Sequence, residues 1–383
     1  YGLAVDIGTT TVCGELINLN TGEAVAEASE YNGQIQYGED VISRIIYSQR
    51  PGGLQALQQG VIRTINNVIE TICKKASIRH ENISYIMAAG NTTMSHLLLG
   101  LNPKFIREAP YTPTCNQYPI PRAASIGSSA HPSVRLFLNP SVASYVGGDI
   151  TSDLYVSSLG KKNGLSVLID IGTNGELVLG NKDRLICSSC ATGPALEGAQ
   201  IEFGMRAAPG AIERVKIDPE THDVDYKVIG RDSWRGYSEP QDMQTKGICG
   251  SGILDAVAQL FLAGIVEKSG AFSKRQISKR FRTRNDTGIK EFVLAWSRET
   301  SIGKDIVITQ HDIRQIQLAK ASIYTGCKLM MRKLGIDRVD SVKIAGAFGS
   351  HIDCKLALVI GMFPDCPIDK IVSVGTAAGD GCR

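Results

Sequence analysis

Two short apolar runs in the sequence each end in an aspartate and a glycine turn. Residues 3–5 precede Asp6-Ile7-Gly8-Thr9-Thr10, and residues 167–169 precede Asp170-Ile171-Gly172-Thr173-Asn174. Apolar, β-branched runs of this length predict buried strands. The polar turns predict return strands, with Asn174-Gly175 as a favoured two-residue hairpin turn. A strand–turn–strand pattern that occurs twice predicts a duplicated domain.

Helical periodicity separates these predicted strands. Apolar residues follow i, i+3, i+4 spacing over residues 54–75, and a second long helix is predicted over 313–334 behind the capping sequence 309–312. Further strands are predicted over 23–30, 85–89, 212–217, 223–229 and 342–345. This alternation of strands and helices predicts an α/β fold. We expect a first domain at 1–163, with an irregular proline- and serine-rich excursion at 103–140, and a second domain at 164–374.

Composition excludes several classes of function. The 383 residues carry a formal charge of +3, which is too small to indicate binding to nucleic acid or a membrane surface. No apolar run is long enough to span a membrane. The ten cysteines lack the spacing of a disulfide framework, so we expect reduced thiols and a cytoplasmic protein. Cys187 and Cys190 form a CxxC without a second ligand pair, which favours structural thiols over a metal site.

An aspartate at the end of a buried strand is costly unless a cation or a hydrogen-bond donor meets it. Mg²⁺ with a nucleotide satisfies this need, because Asp6 and Asp170 can hold the metal directly or through water. Turn N–H groups and hydroxyls then bind phosphate oxygens. The predicted binding residues of the two hairpin turns are Gly8, Thr9, Thr10, Gly172, Thr173 and Asn174.

Other polar loops begin predicted helices. Asn91-Thr92-Thr93 follows a strand, and Thr92 or Thr93 is expected to cap the next helix; a ligand contact at Asn91 and Thr92 stays open. Asp149 follows two glycines, which leaves two interpretations: a helix N-cap, or a carboxylate that orients the water attacking a γ-phosphate. Two glycine loops favour nucleotide binding or close helix packing. They comprise Gly250, Ser251 and Gly252, and Gly346, Ala347, Phe348 and Gly349.

Taken in order along the chain, eight motifs resemble those of the reductive activators of corrinoid proteins, in the acetate and sugar kinase/Hsp70/actin superfamily. They are DIGTT, GNTTM, GGDITSD, DIGTNGE, GPALEGA, CGSGILDA, TQHDIRQIQLAK and AGAFGS. The resemblance implies two ribonuclease-H-like (actin-like ATPase) domains around an interdomain nucleotide cleft. It places 6–10 and 170–176 as phosphate motifs, with Glu176 as a nucleotide-binding residue. It also places 345–350 as the adenosine motif and Glu197 beside the cleft. Residues 147–153 and 375–383 are then connecting helices, the second returning to the first domain.

The resemblance also implies a function. The chain is expected to bind and hydrolyse ATP with Mg²⁺ while a partner corrinoid protein is returned from Co(II) to Co(I) in an O-demethylase or related methyltransferase system. Both ends of the chain look cut, and the [2Fe–2S] cluster that accepts electrons from a low-potential donor is expected in an N-terminal domain outside it. The resemblance allows a homodimer.

Two other classes stay open. A small-molecule or sugar kinase would use the same cleft, with Asp149 as base toward a substrate hydroxyl. A nucleotide-gated protein-binding module would bind ATP and a protein with negligible turnover.

Overall fold

The computed structural model describes residues 1–172, 174–237, 243–274, 278–349, 351–375 and 377–383. The described chain forms two compact units. The first unit comprises residues 1–162 together with 377–383, and the second comprises residues 163–375. Among the described residues, no helix combines the length and the apolar character needed to cross a bilayer.

The first unit is built on a five-stranded sheet with the order β3-β2-β1-β4-β5. Its strands are β1 (Gly2–Ile7), β2 (Thr11–Ile17), β3 (Ala24–Tyr31), β4 (Tyr85–Gly90) and β5 (Arg135–Leu138). The first three strands form an antiparallel meander, whereas β4 lies parallel to β1 and β5 parallel to β4. Its helices are α1 (Val41–Ser48), α2 (Gly53–Ala76), α3 (Thr92–Leu99), α4 (Lys104–Arg107) and α5 (Gly148–Ser157).

The second unit repeats this sheet. Its strands β6 (Ser166–Ile171), β7 (Gly175–Gly180) and β8 (Leu185–Cys190) form the meander. The further elements are β9 (Ala211–Ile217), β10 (Val224–Val228), β11 (Gly247–Ile248), α6 (Gly250–Leu262), β12 (Phe281–Thr283), β13 (Lys290–Ala295), β14 (Ile306–Thr309), α7 (Gln310–Leu334), β15 (Ser341–Ala345), α8 (Gly346–Gly349), α9 (Cys354–Val359) and β16 (Ile371–Gly375). The sheet order is β8-β7-β6-β15-β16, with β15 parallel to β6. Two sheets of one topology confirm the predicted duplicated α/β fold.

The long helices form where the apolar periodicity predicts them. On α2 the residues Leu57, Val61, Val68, Ile69 and Ile72 are all at most 1 % exposed and pack on the first sheet. A capping box between Thr309 and Asp312 starts α7, and Gly335 in the left-handed conformation ends it. The helix therefore begins at Gln310, three residues before the predicted start.

Residues 377–383 belong to the first unit although they follow the second in the chain. They contain α10 (Ala377–Asp380), which packs against α5 and β1. A Cβ atom at Gly381 would lie 2.5 Å from Ser152 Cβ, so only glycine permits this approach. Cys382 is buried beside Ala4, Ile17 and Ala89.

Several local predictions are wrong. Strand β6 ends at Ile171 and Gly175 already lies in β7, so Asn174-Gly175 is not a two-residue turn. The 103–140 segment is not wholly irregular, because it contains α4 and the edge strand β5. That strand has only four residues between proline-rich stretches, which is too short for a periodicity to show.

Candidate functional site

Asp6 lies at the end of β1, one residue before the first turn, and is partly buried. Burial raises its pKa from 3.8 to about 7, and the negative charge of Asp149 adds to the rise. The structure therefore brings two of the three predicted catalytic carboxylates into one electrostatic neighbourhood. A carboxylate that is costly to ionise in this way is suited to a cation.

Asp149 lies in the first turn of α5, but it is not the N-cap. Gly147 occupies the N-cap position, and the Asp149 carboxylate accepts a hydrogen bond from the backbone N–H of Ile150 at 2.8 Å. Burial raises the pKa of Asp149 to about 6, although backbone N–H groups at this helix start oppose the rise. The N-cap interpretation is thus wrong, and the carboxylate can accept a proton near neutral pH.

Asn91 is the N-cap of α3, where the sequence predicts Thr92 or Thr93. Its side-chain oxygen accepts from the N–H of Met94 at 3.0 Å, and its amide donates to Thr9 Oγ1 at 3.2 Å. Thr92 is fully buried and donates to the carbonyl of Ala143 at 2.7 Å. Asn91 therefore joins the first turn, whereas Thr92 lies in the interior and does not line a surface.

The first unit contains two residues at this turn that sequence reasoning missed. Asn32 donates through Nδ2 to the carbonyl of Gly8 at 2.9 Å, and Arg44 donates through Nη2 to the carbonyl of Thr9 at 2.6 Å. Asn32 is 1 % exposed and Arg44 is fully buried. The available signal was an arginine on the buried face of an amphipathic helix, next to Ile45.

The second hairpin places Asp170 at the end of β6, partly buried, in register with Glu176 on β7 and Ala345 on β15. The turn closes with a bond from the N–H of Gly172 to the carbonyl of Asn174 at 3.0 Å. Thr192 donates to the carbonyl of Gly172 at 2.9 Å, and the Cys190 thiol contacts the carbonyl of Gly175 at 3.1 Å. Predicted residue Thr173 lies outside the described residues.

Glu176 accepts a hydrogen bond from Ser189 at 3.2 Å. Gly346 follows β15 with φ +88°, and a Cβ atom at this position would meet Asp170 Oδ1. The glycine loop at Gly346 is thus in direct contact with Asp170 of the second hairpin. The side chain of Ala347 lies outside the described part of the structure.

The glycines of the loop at Gly250 allow close packing against neighbouring backbone. A Cβ atom at Gly250 would lie 2.8 Å from Phe348 Cε2 and collide with the carbonyl of Leu196, in the short turn that carries exposed Glu197. One at Gly252 would collide with the carbonyl of Ile212 on β9. Ser251 is 5 % exposed, and its hydroxyl lies 3.4 Å from Cys249 Sγ. In the other glycine loop, Gly349 packs closely on the side chain of Ile344.

The CxxC motif does not form a metal site. Cys187 and Cys190 are three residues apart on β8, so their side chains point to opposite faces of the strand. No group of residues among those described can hold a metal ion as a ready-made cluster, and all ten cysteines are free thiols. Mg²⁺ held through water needs few direct ligands, and a carboxylate such as that of Asp6 or that of Asp170 suits it.

Residues 274–284 form a basic run, and several of its arginines are engaged in contacts within the second unit. Residues 275–277 lie outside the described part of the chain. Arg280 is 5 % exposed and donates to the carbonyls of Val293 and Leu294. Arg282 and Arg284 both pair with the buried carboxylate of Glu291. They line a cavity of about 840 Å³ in the second unit, and these charges stabilise the β12–β13 hairpin.

Two family comparisons cover nearly the whole chain. Residues 164–383 match the C-terminal domain of RACo, the ASKHA domain, and residues 1–162 match the RACo middle region. The chain belongs to the RACo family. This membership agrees with the two sheets of one topology and with the two hairpins, whose first strands carry Asp6 and Asp170 as their next-to-last residues.

Individual relatives of this RACo-family chain carry related descriptions. It is 39 % identical, over all of its length, to the corrinoid activation enzyme RamQ of Eubacterium limosum. It is 24 % identical, over 99 % of its length, to a [Co(II) methylated amine-specific corrinoid protein] reductase of Methanosarcina barkeri. A solved structure described as a reductive activator for corrinoid, iron–sulfur protein matches all of the chain with a TM-score of 0.85 and 42 % identity.

These relatives are longer than the RACo-family chain. It spans 63 % of RamQ, 68 % of the Methanosarcina reductase and 59 % of the solved activator. The activities in those descriptions belong to the longer proteins.

Proposed function

We propose that this chain is the ATP-binding and ATP-hydrolysing part of an activator that returns a corrinoid protein from Co(II) to Co(I). The observation that carries the proposal is the pair of equivalent hairpins, each with an aspartate at a strand end, in a chain of the RACo family. The descriptions of RamQ and of the solved activator supply the corrinoid. The two hairpins support the proposed binding of ATP phosphates.

The side chains have distinct roles in this proposal. Asp6 and Asp170 would hold Mg²⁺ through water, and the ion, when bound, would neutralise charge on the phosphate oxygens. Turn N–H groups at 8–10 and that of Asn174 bind the phosphates, whereas the Gly172 N–H closes its own turn. Asp149, with its pKa near 6, takes a proton from the water that attacks the γ-phosphate. Gly346 and Phe348 border the adenosine, beside the turn that carries Glu197.

The energetic requirement is of a size that nucleotide binding can meet. A two-state shift from 1:99 to 99:1 requires about 5.5 kcal/mol. A tenfold change in a one-electron equilibrium corresponds to about 59 mV, so this shift is worth roughly 240 mV. We infer that ATP-dependent domain closure favours a corrinoid-protein state that has lost an axial cobalt ligand. The electron comes from a low-potential donor through a domain outside these 383 residues.

The test combines the complete activator with ATP, its corrinoid protein and a low-potential reductant. We expect the Co(I) absorption band to grow only with ATP, and Asp170→Asn to abolish both ATP hydrolysis and Co(I) formation. The matched control is Asp183→Asn, at an exposed aspartate in the turn between β7 and β8.

Two results would contradict the proposal. If the Co(I) yield does not depend on ATP, ATP hydrolysis is not coupled to the reduction of Co(II). If Asp170→Asn hydrolyses ATP at the normal rate, the second hairpin does not have the proposed role. Candidate sugars in the same ATPase assay test the kinase alternative, which requires ATP consumption in proportion to a sugar.

A further inference from the structure

In the first hairpin turn, the backbone carbonyls of residues 8–10 each accept a hydrogen bond from the interior of the first unit. The Gly8 carbonyl accepts from Asn32 Nδ2 at 2.9 Å, the Thr9 carbonyl accepts from Arg44 Nη2 at 2.6 Å, and the Thr10 carbonyl accepts from the N–H of Asn32 at 2.9 Å. Both donor side chains are buried. Three consecutive peptide groups are therefore anchored on their interior side.

Anchored carbonyls fix the direction of the N–H groups. A trans peptide is planar, and its C=O and N–H point in opposite directions. Since the carbonyls of Gly8 and Thr9 point toward Asn32 and Arg44, the N–H groups of Thr9 and Thr10 point away from this interior. Consecutive N–H groups with one outward direction form an anion-binding concavity.

Arg44 contributes a buried positive charge directly behind that concavity. Its other contacts also go to neutral acceptors: Nε to the Gly38 carbonyl at 2.9 Å, and Nη1 to Gln34 Oε1 at 3.1 Å and Met94 Sδ at 3.3 Å. Asp40 is the carboxylate whose field acts on the guanidinium. Burial lowers the pKa of Arg44 only to about 10, so the group stays charged at neutral pH.

A buried charge held by neutral acceptors is costly unless an opposite charge comes near. An anion bound at the outward N–H groups supplies that opposite charge, because only the peptide group between Thr9 and Thr10 then separates it from the guanidinium of Arg44. The same guanidinium therefore orients the turn and favours an anion on its far side.

We propose that Arg44 is a positioning residue for the phosphates of ATP, acting through the Thr9 peptide without touching the nucleotide. The assignment rests on the proposed ATP site of the first hairpin. It adds a buried, sequence-distant cation from α1 to the phosphate-binding turn.

The test compares Arg44→Met and Arg44→Lys with the wild-type full chain, by ATPase kinetics and by hydrogen exchange of the Thr9 and Thr10 amides. We expect Arg44→Met to raise KM for ATP about tenfold or more, because it removes a charge-assisted hydrogen bond. The value of kcat should change less than about threefold, since Asp149 and Asp170 are untouched. Lysine keeps the charge but not the fork of donors, so Arg44→Lys should give an intermediate KM.

Arg63→Met is the matched control, because Arg63 is an exposed arginine on α2. We expect wild-type KM and wild-type amide exchange for this variant. In the Arg44 variants the Thr9 and Thr10 amides should exchange faster before any nucleotide is added. If Arg44→Met does not fold, Arg44→Lys carries the comparison.

The failures are separable. Wild-type chain that binds no ATP overturns the proposed function, and the Arg44 assignment with it. Wild-type chain that binds ATP, with KM unchanged in the folded Arg44 variants, overturns the Arg44 assignment alone. A lower melting temperature with an unchanged KM also overturns that assignment, because it shows a merely structural role.

Discussion

The surroundings of Asp6 in the first unit favour the protonated form of its carboxyl group. Its pKa of about 7 lies well above the ordinary value of 3.8, owing to burial and the charge of Asp149. Functional carboxylates commonly have pKa values displaced in this way. Burial disfavours the negative charge of the carboxylate, and a bound cation then stabilises that charge. The cost falls on the stability of the first unit.

The sign of that cost gives a prediction for Asp6→Asn in EDTA. Below pH 3.8 Asp6 is protonated in both the folded and the unfolded chain and has no effect. Between pH 3.8 and 7 the unfolded chain loses the proton first, so stability falls as pH rises; above pH 7 the full penalty remains. We therefore expect Asp6→Asn to melt at a higher temperature than wild type at pH 8, by roughly 2–4 °C for each 1 kcal/mol of penalty removed, and at the same temperature near pH 4.

Scanning calorimetry across this pH range checks the expectation. Asp183→Asn, at the exposed turn, should show no such pH-dependent difference. A gain for Asp6→Asn that is the same at pH 4 and pH 8 would show that burial of the charge is not its cause. The stabilised variant should also have lost ATP hydrolysis, as expected where function requires a destabilising group.

At the scale of elements, the two hairpins share one supporting arrangement. In each unit a residue just after the end of the third meander strand bonds a carbonyl of the glycine turn. Asn32 follows β3 and bonds Gly8, and Thr192 follows β8 and bonds Gly172. The structural repeat thus includes the support behind the turn, where the two sequences no longer look alike.

The start of α5 provides an element-scale prediction. A Cβ atom at Gly147 would lie 2.5 Å from both Asn91 Cα and Thr92 N, and these are backbone atoms that cannot move aside. We expect Gly147→Ala to destabilise the first unit by about 1–3 kcal/mol. It should also reduce ATP turnover, because it separates Asp149 from the turn that Asn91 contacts.

Gly379→Ala is the comparison for this variant. Nothing lies within 4 Å of a Cβ atom at Gly379 in α10, so the added methyl group should be tolerated. Denaturant unfolding and ATPase rates measure both variants. Equal stability of Gly147→Ala and wild type would mean that α3 and α5 can move apart freely.

The sequence predicted those features that depend on local pattern. The two aspartate turns, the apolar face of α2 and the Thr309–Asp312 cap all follow from spacing within a few residues. Competition between neighbours could not be resolved in this way, so the choice of Asn91 over Thr92 as a cap was missed. Long-range partners such as Arg44 and Thr9, 35 residues apart, leave no local signal.

At the scale of the molecule, the first unit is discontinuous in sequence. Residues 377–383 return to it, where Cys382 is buried and Arg383 pairs with Glu15. The second unit is continuous over residues 163–375. Its core, which includes Ile169, Leu177 and Phe292, is contained within that range.

Truncation separates the two units experimentally. We expect a chain ending at residue 375 to unfold with a first-unit transition weakened by about 2 kcal/mol or more, comparable to emptying one core position. The transition of the second unit should stay unchanged, and calorimetry with the isolated 163–375 fragment assigns it. The control is Asp380→Asn in the full chain, at a partly exposed residue of α10. It shows how much of the loss comes from removing the negative charge of this side chain. Equal loss in both transitions would contradict the division.

This division orders events during translation. Residues 163–375 form one continuous stretch of the chain, whereas the position of Cys382 beside Ala4 and Ala89 stays empty until that residue has been added. Domains generally fold as units while they are synthesised, so here the part that begins first should finish last. A nascent chain of residues 1–375, carried clear of the ribosome by an unstructured C-terminal extension, should therefore resist protease in its second half and remain cleavable in its first.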